Sequence, residues 1–573
     1  MQTNNRHQDT TSRTHRPAFF MTKLSWWGGL LLLVVGAVFL QAYSYDAVTT
    51  KLAQWSGKTD RLDVFRNQYL TPTLFLVFRW SSIFIALAFI FTYRWLPWLA
   101  SRVNQIWLLW IQLTSLPFQR FRTLAKPQQV ILLATLGLLV IIRIYHSWLF
   151  PLQYDEAFTY VHLVHMGVLV SATYYPGPNN HVLFSIIAAL LDWLLPPLFA
   201  LRLPGLLGSL LLWWLLWDWL ASKIRFEWAW LLATLLVLTP TLSVYAVTGR
   251  GYSLQLIATL IGFRVALAQK YLPIHRLAFV LSSVVGFYLV PTYLYVFITL
   301  VIFKTSTMLR TKSKNTLKHG VLDMAIIVFI TSILYAPIIL FNGLGTITHN
   351  GWVQPLGFVQ WCSHFPAYLT ELTQALWGLE AGVGIGIGFL FLLLVTFVLR
   401  PRKYFGVLGI ALALLLMMVQ QVLPPARTLQ YLVLLLGWWL AEWLPKQSSR
   451  SKYPLVITLT LSASLLFYGL TVTKALYQVA QTPHPHIEVA RKITSEKKPQ
   501  KILVTQDTYA VFLQYFNAQN DHKHQIDTQV KAGVPYDWRI YSIQQSKSIK
   551  KPPNNVQLYL KNKEVVIYNN TSH

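Results

Sequence analysis

Long apolar runs separated by short, basic connectors fill most of this chain, the most continuous being residues 26–40, 130–142, 206–217, 389–398 and 431–440. A helix needs about 20 apolar residues to cross a bilayer, and helices satisfy every backbone group there without water. The pattern predicts helices at residues 24–43, 73–93, 129–149, 201–220, 228–247, 251–268, 277–290, 292–303, 321–341, 375–399, 405–423, 429–444 and 455–472, about 13 membrane spans in all. Residues 157–195 alternate short apolar stretches with Pro and His, which predicts helices lying along a membrane surface. The Trp-rich stretch 103–116 is too short to span and reads as an interfacial helix.

Lys and Arg concentrate on the cytoplasmic side of membrane proteins. Arg6, Arg13, Arg16 and Lys23 therefore put the N-terminus inside, and the connector 304–318, with five Lys/Arg, marks the same side. Counting spans from there places residues 150–200 and 342–374 in outer loops and the C-terminus outside. From residue 484 the chain changes character, becoming polar and Lys-rich. Strand patterns at 501–505 and 564–568 flank a helix pattern at 509–516, which predicts a small extracytoplasmic α/β domain. The expected architecture is an all-α polytopic membrane protein with that appendage. It divides into an N-terminal tail with two helices and the interfacial helix (1–128), a transmembrane core (129–473) and the C-terminal domain (474–573).

Composition agrees. The 573 residues are 54% hydrophobic and 12% charged, where a soluble domain carries about 25% charged residues. The net charge of +28, from 48 Lys+Arg against 20 Asp+Glu, would suit a nucleic-acid binder only if it gathered on one soluble face. Here it punctuates span ends, so nucleic acid is excluded and anionic lipid head groups are the expected partner. A single cysteine, Cys362, excludes an intrachain disulfide and a Cys-based zinc site. The first apolar run lacks a clear small-residue cleavage site and reads as a retained helix. Trp213, Trp214, Trp438 and Trp439 read as lipid-facing belt residues, and Gly382, Gly384, Gly386 and Gly388 as helix-packing positions.

Against this scarcity of acids, Asp155 and Glu156 stand adjacent just past a span end, after Tyr154. A carboxylate there can act as general base or hold a cation, and the pair is the only candidate for a divalent metal; a solvated pair or a helix N-terminal acid is the plainer alternative. Asp192 and Asp218 are the only other acids without an evident loop position. His162 and His165 are three apart but lack a third ligand. Downstream come Asn179-Asn180-His181, then Arg202-Leu-Pro-Gly205, then Arg250-Gly-Tyr252, and finally Pro424-Pro-Ala-Arg427, all falling on the outer side.

In order and placement these elements resemble the family-39-type glycosyltransferases of the GT-C class, which include protein O-mannosyltransferases and lipid A aminoarabinose transferases. The resemblance covers roughly residues 129–472. It implies a hexosyl or pentosyl transferase of the cytoplasmic membrane that takes a sugar from a polyprenyl-phosphate donor and passes it, with inversion, to an extracytoplasmic lipid, glycan or protein. By resemblance Asp155 is the base and Glu156 its assistant. Arg250 and Arg427, with Tyr252, meet the donor phosphate, and Arg202 either braces the loop or reaches that phosphate as well. Asn179, Asn180, His181, Tyr154 and His349 contact substrate, while His349, Asn350, Trp352 and His364 of the loop 342–374 cover the site as a lid and Glu371 or Glu380 supplies a second carboxylate. A divalent metal is a possible cofactor. A transporter or flippase for a lipid-linked or anionic substrate is the other reading; the lack of an internal repeat and the placing of most acids near span ends weigh against it.

Overall fold

The computed structural model describes residues 6–56, 62–97, 115–177, 179–268, 272–311, 314–348, 354–378, 405–445, 454–481, 484–496, 498–520, 523–531, 534–543, 556–561 and 565–570, with residues 59, 101 and 111. The interfacial stretch 103–116 lies largely outside these residues, as do His349, Asn350, Trp352, Glu380 and the four glycines at 382–388.

The N-terminal unit is an antiparallel pair, α1 (Arg6–Ala42) and α3 (Pro72–Phe91), with the short α2 (Tyr45–Trp55) between them. Arg79 clamps it by donating from Nε to Gln41 Oε1 at 3.0 Å, while Gln41 Nε2 returns a bond to the Arg79 carbonyl at 2.8 Å. Trp26 Nε1 to Thr92 Oγ1, 2.9 Å, ties the other end. The core begins at α4 (Lys126–Leu149), followed by the short α5 (Tyr154–Thr159), α6 (Val168–Thr173) and α7 (Val182–Asp192). These last three are the short helices in the stretch 157–195, where the sequence alternates apolar runs with Pro and His.

Then come α8 (Pro197–Ala221), α9 (Phe226–Val237), α10 (Pro240–Val247), α11 (Tyr252–Ala266), α12 (Pro273–Leu289), α13 (Leu294–Thr311) and α14 (Lys314–Asn342). Proline opens many of them, where its missing N–H costs nothing. One proline changes the prediction: the apolar stretch 228–247 is not one straight span but α9 and α10, bent by 67°. Pro240 cannot donate to Leu236 and crowds that turn. Arg143, buried in α4, donates from Nη2 to the Val237 carbonyl at 2.5 Å and so satisfies an acceptor that the break releases.

The basic connector 304–318 is also mostly helix, continuing α13 and opening α14. Likewise the outer loop expected at 342–374 holds α15 (Phe358–Trp377). The remaining helices of the bundle are α16 (Phe405–Gln420), α17 (Tyr431–Trp443) and α18 (Pro454–Gln481). Among the described residues six helices are long and apolar enough to cross a membrane, or seven with the bent pair counted as one span.

The tryptophan reading needs correction. Trp213 is fully buried and donates to Thr234 Oγ1 at 3.0 Å, Trp438 and Trp439 are buried, and Trp214 packs against the same core. Two acids are absorbed by the framework at the end of the bundle away from the C-terminal domain. Asp218 is held by Arg120 (2.8 Å) and Arg264 (2.6 Å), and Asp323 by Arg276 (2.8 Å).

The C-terminal domain pairs α19 (Pro485–Thr494) and α20 (Asp507–Gln519) with a five-stranded sheet ordered β2-β1-β3-β5-β4. Its strands are β1 (Lys501–Val504), β2 (Gln525–Asp527), β3 (Trp538–Ser542), β4 (Val556–Lys561) and β5 (Val565–Asn570). The pairs of β1 with β2 and β3 are parallel; β5 runs antiparallel to β3 and β4. One apolar cluster joins Phe512 and Tyr515 of this domain to Ala157, Tyr160 and Leu201, with the Tyr160 and Tyr515 rings 5.2 Å apart. The domain thus sits on the acidic segment.

Candidate active site

Where α4 ends, the loop 150–153 carries the chain to α5. Gln153 caps that helix and Glu156 occupies its third position, reaching back to accept from the Gln153 amide at 2.9 Å. The rest of the Glu156 carboxylate points inward. It accepts from Arg202 Nε (2.9 Å), Arg202 Nη2 (2.7 Å) and the Gly249 amide (2.6 Å). Arg202, itself buried, spends its other donors on the carbonyls of Ser147, Phe150 (2.9 Å) and Pro151 (3.1 Å). A carboxylate offers about four acceptor positions, and Glu156 uses all of them inside the protein. The adjacent acids therefore diverge.

Asp155 faces the other way. Its side chain is 40% exposed, and Oδ2 lies 3.5 Å from Arg250 Nη2. Arg250 sits in the tight segment between α10 and α11 and is buried. It donates from Nη1 to the Asn179 side-chain oxygen and carbonyl, the latter at 3.1 Å, while its buried Nε has no partner among the described residues. Asn179 completes the triangle, donating to the Asp155 carbonyl at 3.3 Å.

Both amides flanking Arg250 are gripped: Gly249 N by Glu156, and Gly251 N by His181 Nδ1 at 3.1 Å. Approach this close requires glycine. A Cβ at residue 249 would stand 2.9 Å from Leu201 Cβ, and one at residue 251 would stand 3.1 Å from both His181 Nδ1 and Phe184 Cβ. Because His181 Nδ1 accepts, the neutral ring carries its proton on Nε2. Burial, then Arg250 and Arg427, hold His181 well below the ordinary histidine range.

Tyr252 packs edge-on against His181, centroids 4.7 Å apart, and Tyr245 packs on Tyr252 at 4.6 Å. Arg427 is exposed on the 3-10 turn Ala426–Leu429, whose Thr428 and Leu429 are buried, and it interacts with Tyr245. Partial burial works against its charge, but Tyr252, Tyr245 and Asp155 outweigh that and raise its pKa. Tyr154 lies at the rim, 38% exposed, its phenol raised by burial, Asp507 and Asp155 in that order.

The structure thus brings Asp155, Arg250, Asn179, His181 and Tyr252 into one cluster, with Tyr245 and Arg427 beside it and Tyr154 exposed at its edge. Asn180 is near but turned away, its amide spent on the carbonyls of Ser171 and Tyr174 and on Ser185. His162 stacks on Phe158, and His165 meets the Tyr160 hydroxyl at 3.3 Å. His364 bonds the Gln360 carbonyl of its own helix. The sequence reading missed Tyr245 and the glycine clamp; a tyrosine in an apolar helix carries no signal that separates it from a belt residue.

Among the described residues no group of three or more His, Cys, Asp or Glu is placed to hold a metal ion. With Glu156 saturated by Arg202 and two amides, the acidic pair leaves one carboxylate, the partly exposed Asp155, open to a ligand.

No family model matches the sequence, and no curated protein matches it. Among solved structures, ArnT from Cupriavidus metallidurans in the apo state matches with a TM-score of 0.52 and 12% identity, covering 77% of this chain and 98% of that one. At that identity the likeness is one of fold. The chain shares that fold: a bundle of apolar helices, six or seven of them long enough to span a membrane among the described residues, with a C-terminal sheet domain.

Proposed function

We propose that this multi-pass membrane protein is an inverting glycosyltransferase that moves a sugar from a polyprenyl-phosphate donor to an extracytoplasmic acceptor, with Asp155 as general base. The observation that carries the reading is the opposition of one half-open carboxylate, Asp155, to a buried guanidinium with a free donor, Arg250. The ArnT-like fold supports it.

In this scheme Asp155 takes the proton of the acceptor hydroxyl as its oxygen attacks the anomeric carbon. The bond between that carbon and the carrier phosphate breaks with its electron pair going to the phosphate. The departing phosphate gains negative charge, and Arg250 and Arg427 receive it, charge-assisted bonds to guanidinium being among the stronger ones available. Tyr252 lines the phosphate side, while Tyr154 and Asn179 lie where acceptor and sugar hydroxyls approach. Glu156 and Arg202 are positioning residues: they hold the loop and the Gly249 amide, and through it Arg250. Asn180 braces the loop, and His181 holds the Gly251 amide.

The proposal includes an outward-facing site in the cytoplasmic membrane, the division at residues 128 and 473, and membrane lipids as surroundings. It routes no step through a metal. The test is product analysis on the reconstituted full chain with defined polyprenyl-phosphate sugars, with and without chelator. Transfer by the wild type and its loss in Asp155→Asn support the reading. Donor translocation without transfer supports a flippase instead.

A further inference from the structure

A second feature lies on the far side of the loop 150–153. A cavity of about 1300 Å³ opens between the end of α4 and the C-terminal domain, larger than the roughly 300–1,000 Å³ of a small-molecule pocket. Its two walls differ. One is apolar, from Trp148, Leu149 and Leu198; the other is polar, from Arg491, Lys523, Glu488 and Glu496.

Large apolar side chains are exposed on the same elements: Trp148 is 87% exposed, and Trp193, Leu194 and Phe199 are exposed between the end of α7 and the start of α8. The polar wall has capacity to spare: His484, which also lines the cavity, has a buried Nε2 with no partner among the described residues. Arg491 lies over the Phe516 ring at 5.4 Å, which fixes its guanidinium at the cavity wall.

We propose that this cavity binds a phospholipid with a zwitterionic, ammonium-bearing head group. Arg491 and Lys523 meet the phosphate, Glu488 and Glu496 the ammonium, and the acyl chains run along Trp148, Leu149 and Leu198. Two cations and two acids on one wall match a head group carrying both signs better than a purely anionic one. The carrier of the transfer reaction is a poor fit, because Asp155, Arg250 and Arg427 do not line this cavity. Phe150 and Pro151, whose carbonyls Arg202 holds, form part of its wall, so a bound head group rests on the loop that also shapes the active site.

The test uses the full chain in nanodiscs of equal phosphatidylethanolamine and phosphatidylglycerol, released into native mass spectrometry. Wild type should retain phosphatidylethanolamine in preference. Arg491→Ala with Lys523→Ala should lose roughly tenfold of that retention, the size of a lost charge-assisted contact. Glu488→Gln with Glu496→Gln, which keeps both cations, should shift retention toward phosphatidylglycerol. Equal retention in wild type and the cation variant, preference for phosphatidylglycerol in wild type, or a retained polyprenyl phosphate would each overturn the assignment. Since the readout is bound lipid, it stands or falls separately from sugar transfer.

Discussion

Glu156 and Asp155 are neighbours in sequence with opposite burdens, and substitution should separate them. Removing Glu156 with Ala strips a fully buried carboxylate from Arg202, which is 2% exposed and 2.7 Å away. Loss of one partner of a buried ion pair costs about 3–5 kcal/mol, because the other charge remains buried without compensation. The amides of Gly249 and Gln153 lose their acceptor as well, each worth about 1–3 kcal/mol if left unsatisfied, although such terms do not add in full. A total of at least about 3 kcal/mol is expected for Glu156→Ala. Asp155→Ala should cost under about 1 kcal/mol, since its pairing with Arg250 is partly solvent-screened. The assay is unfolding of the detergent-solubilised chain, followed by tryptophan fluorescence. The double change Glu156→Leu with Arg202→Met removes the uncompensated charge but leaves the Gly249 and Gln153 amides and the carbonyls of Ser147, Phe150 and Pro151 without these partners, so it should recover only part of the loss. A Glu156→Ala protein within about 0.5 kcal/mol of wild type, the scatter of ordinary surface changes, would refute the brace.

Asp155→Asn should keep wild-type unfolding while losing about 10²–10⁴-fold in transfer rate, the usual share of a general base; kcat measured with saturating donor checks it. Arg427→Ala should lower kcat/KM roughly ten- to a hundredfold, as expected for one charge-assisted contact to phosphate, and the deficit should appear in donor titrations. Gly249→Ala should destabilise and slow the protein together, because the new Cβ meets Leu201 Cβ at 2.9 Å. His181 is held neutral, so the unfolded chain binds a proton that the folded one refuses as pH falls below its ordinary value of 6.5. The stability it contributes is present above that pH and drains away below it. His181→Asn, whose oxygen can replace Nδ1 as acceptor, should flatten the fall in unfolding midpoint between pH 7.5 and about 5. An unchanged slope would remove His181 from the account.

Much of the architecture was legible because membrane helices announce themselves by length and apolarity, and because proline and Lys/Arg mark their ends. The break at Pro240 was less so, since residues 228–247 are apolar throughout and only tertiary partners such as Arg143 reveal that the chain turns there. Trp213 and Trp438 misled for a related reason: in lipid, a buried tryptophan and a belt tryptophan occupy equally apolar sequence. At the site, the acidic pair and Arg250 stood out because charge is scarce. What the sequence could not convey was direction. Adjacent residues at the start of a helix lie about 100° apart around its axis, at 3.6 residues per turn. Which carboxylate meets Arg202 and which stays partly exposed beside Arg250 is decided by where α8 passes.

Arg250 is suspended by both of its neighbouring amides, one tied to the acidic segment and one to the loop before α7. Such a mounting leaves the cation little freedom to follow an incoming molecule. Arg427, by contrast, is an exposed side chain that meets Tyr252, Tyr245 and Asp155 without any such mounting. Any adjustment on arrival of a substrate therefore falls to the late turn: one pole of the site is an anvil, and the other does the travelling.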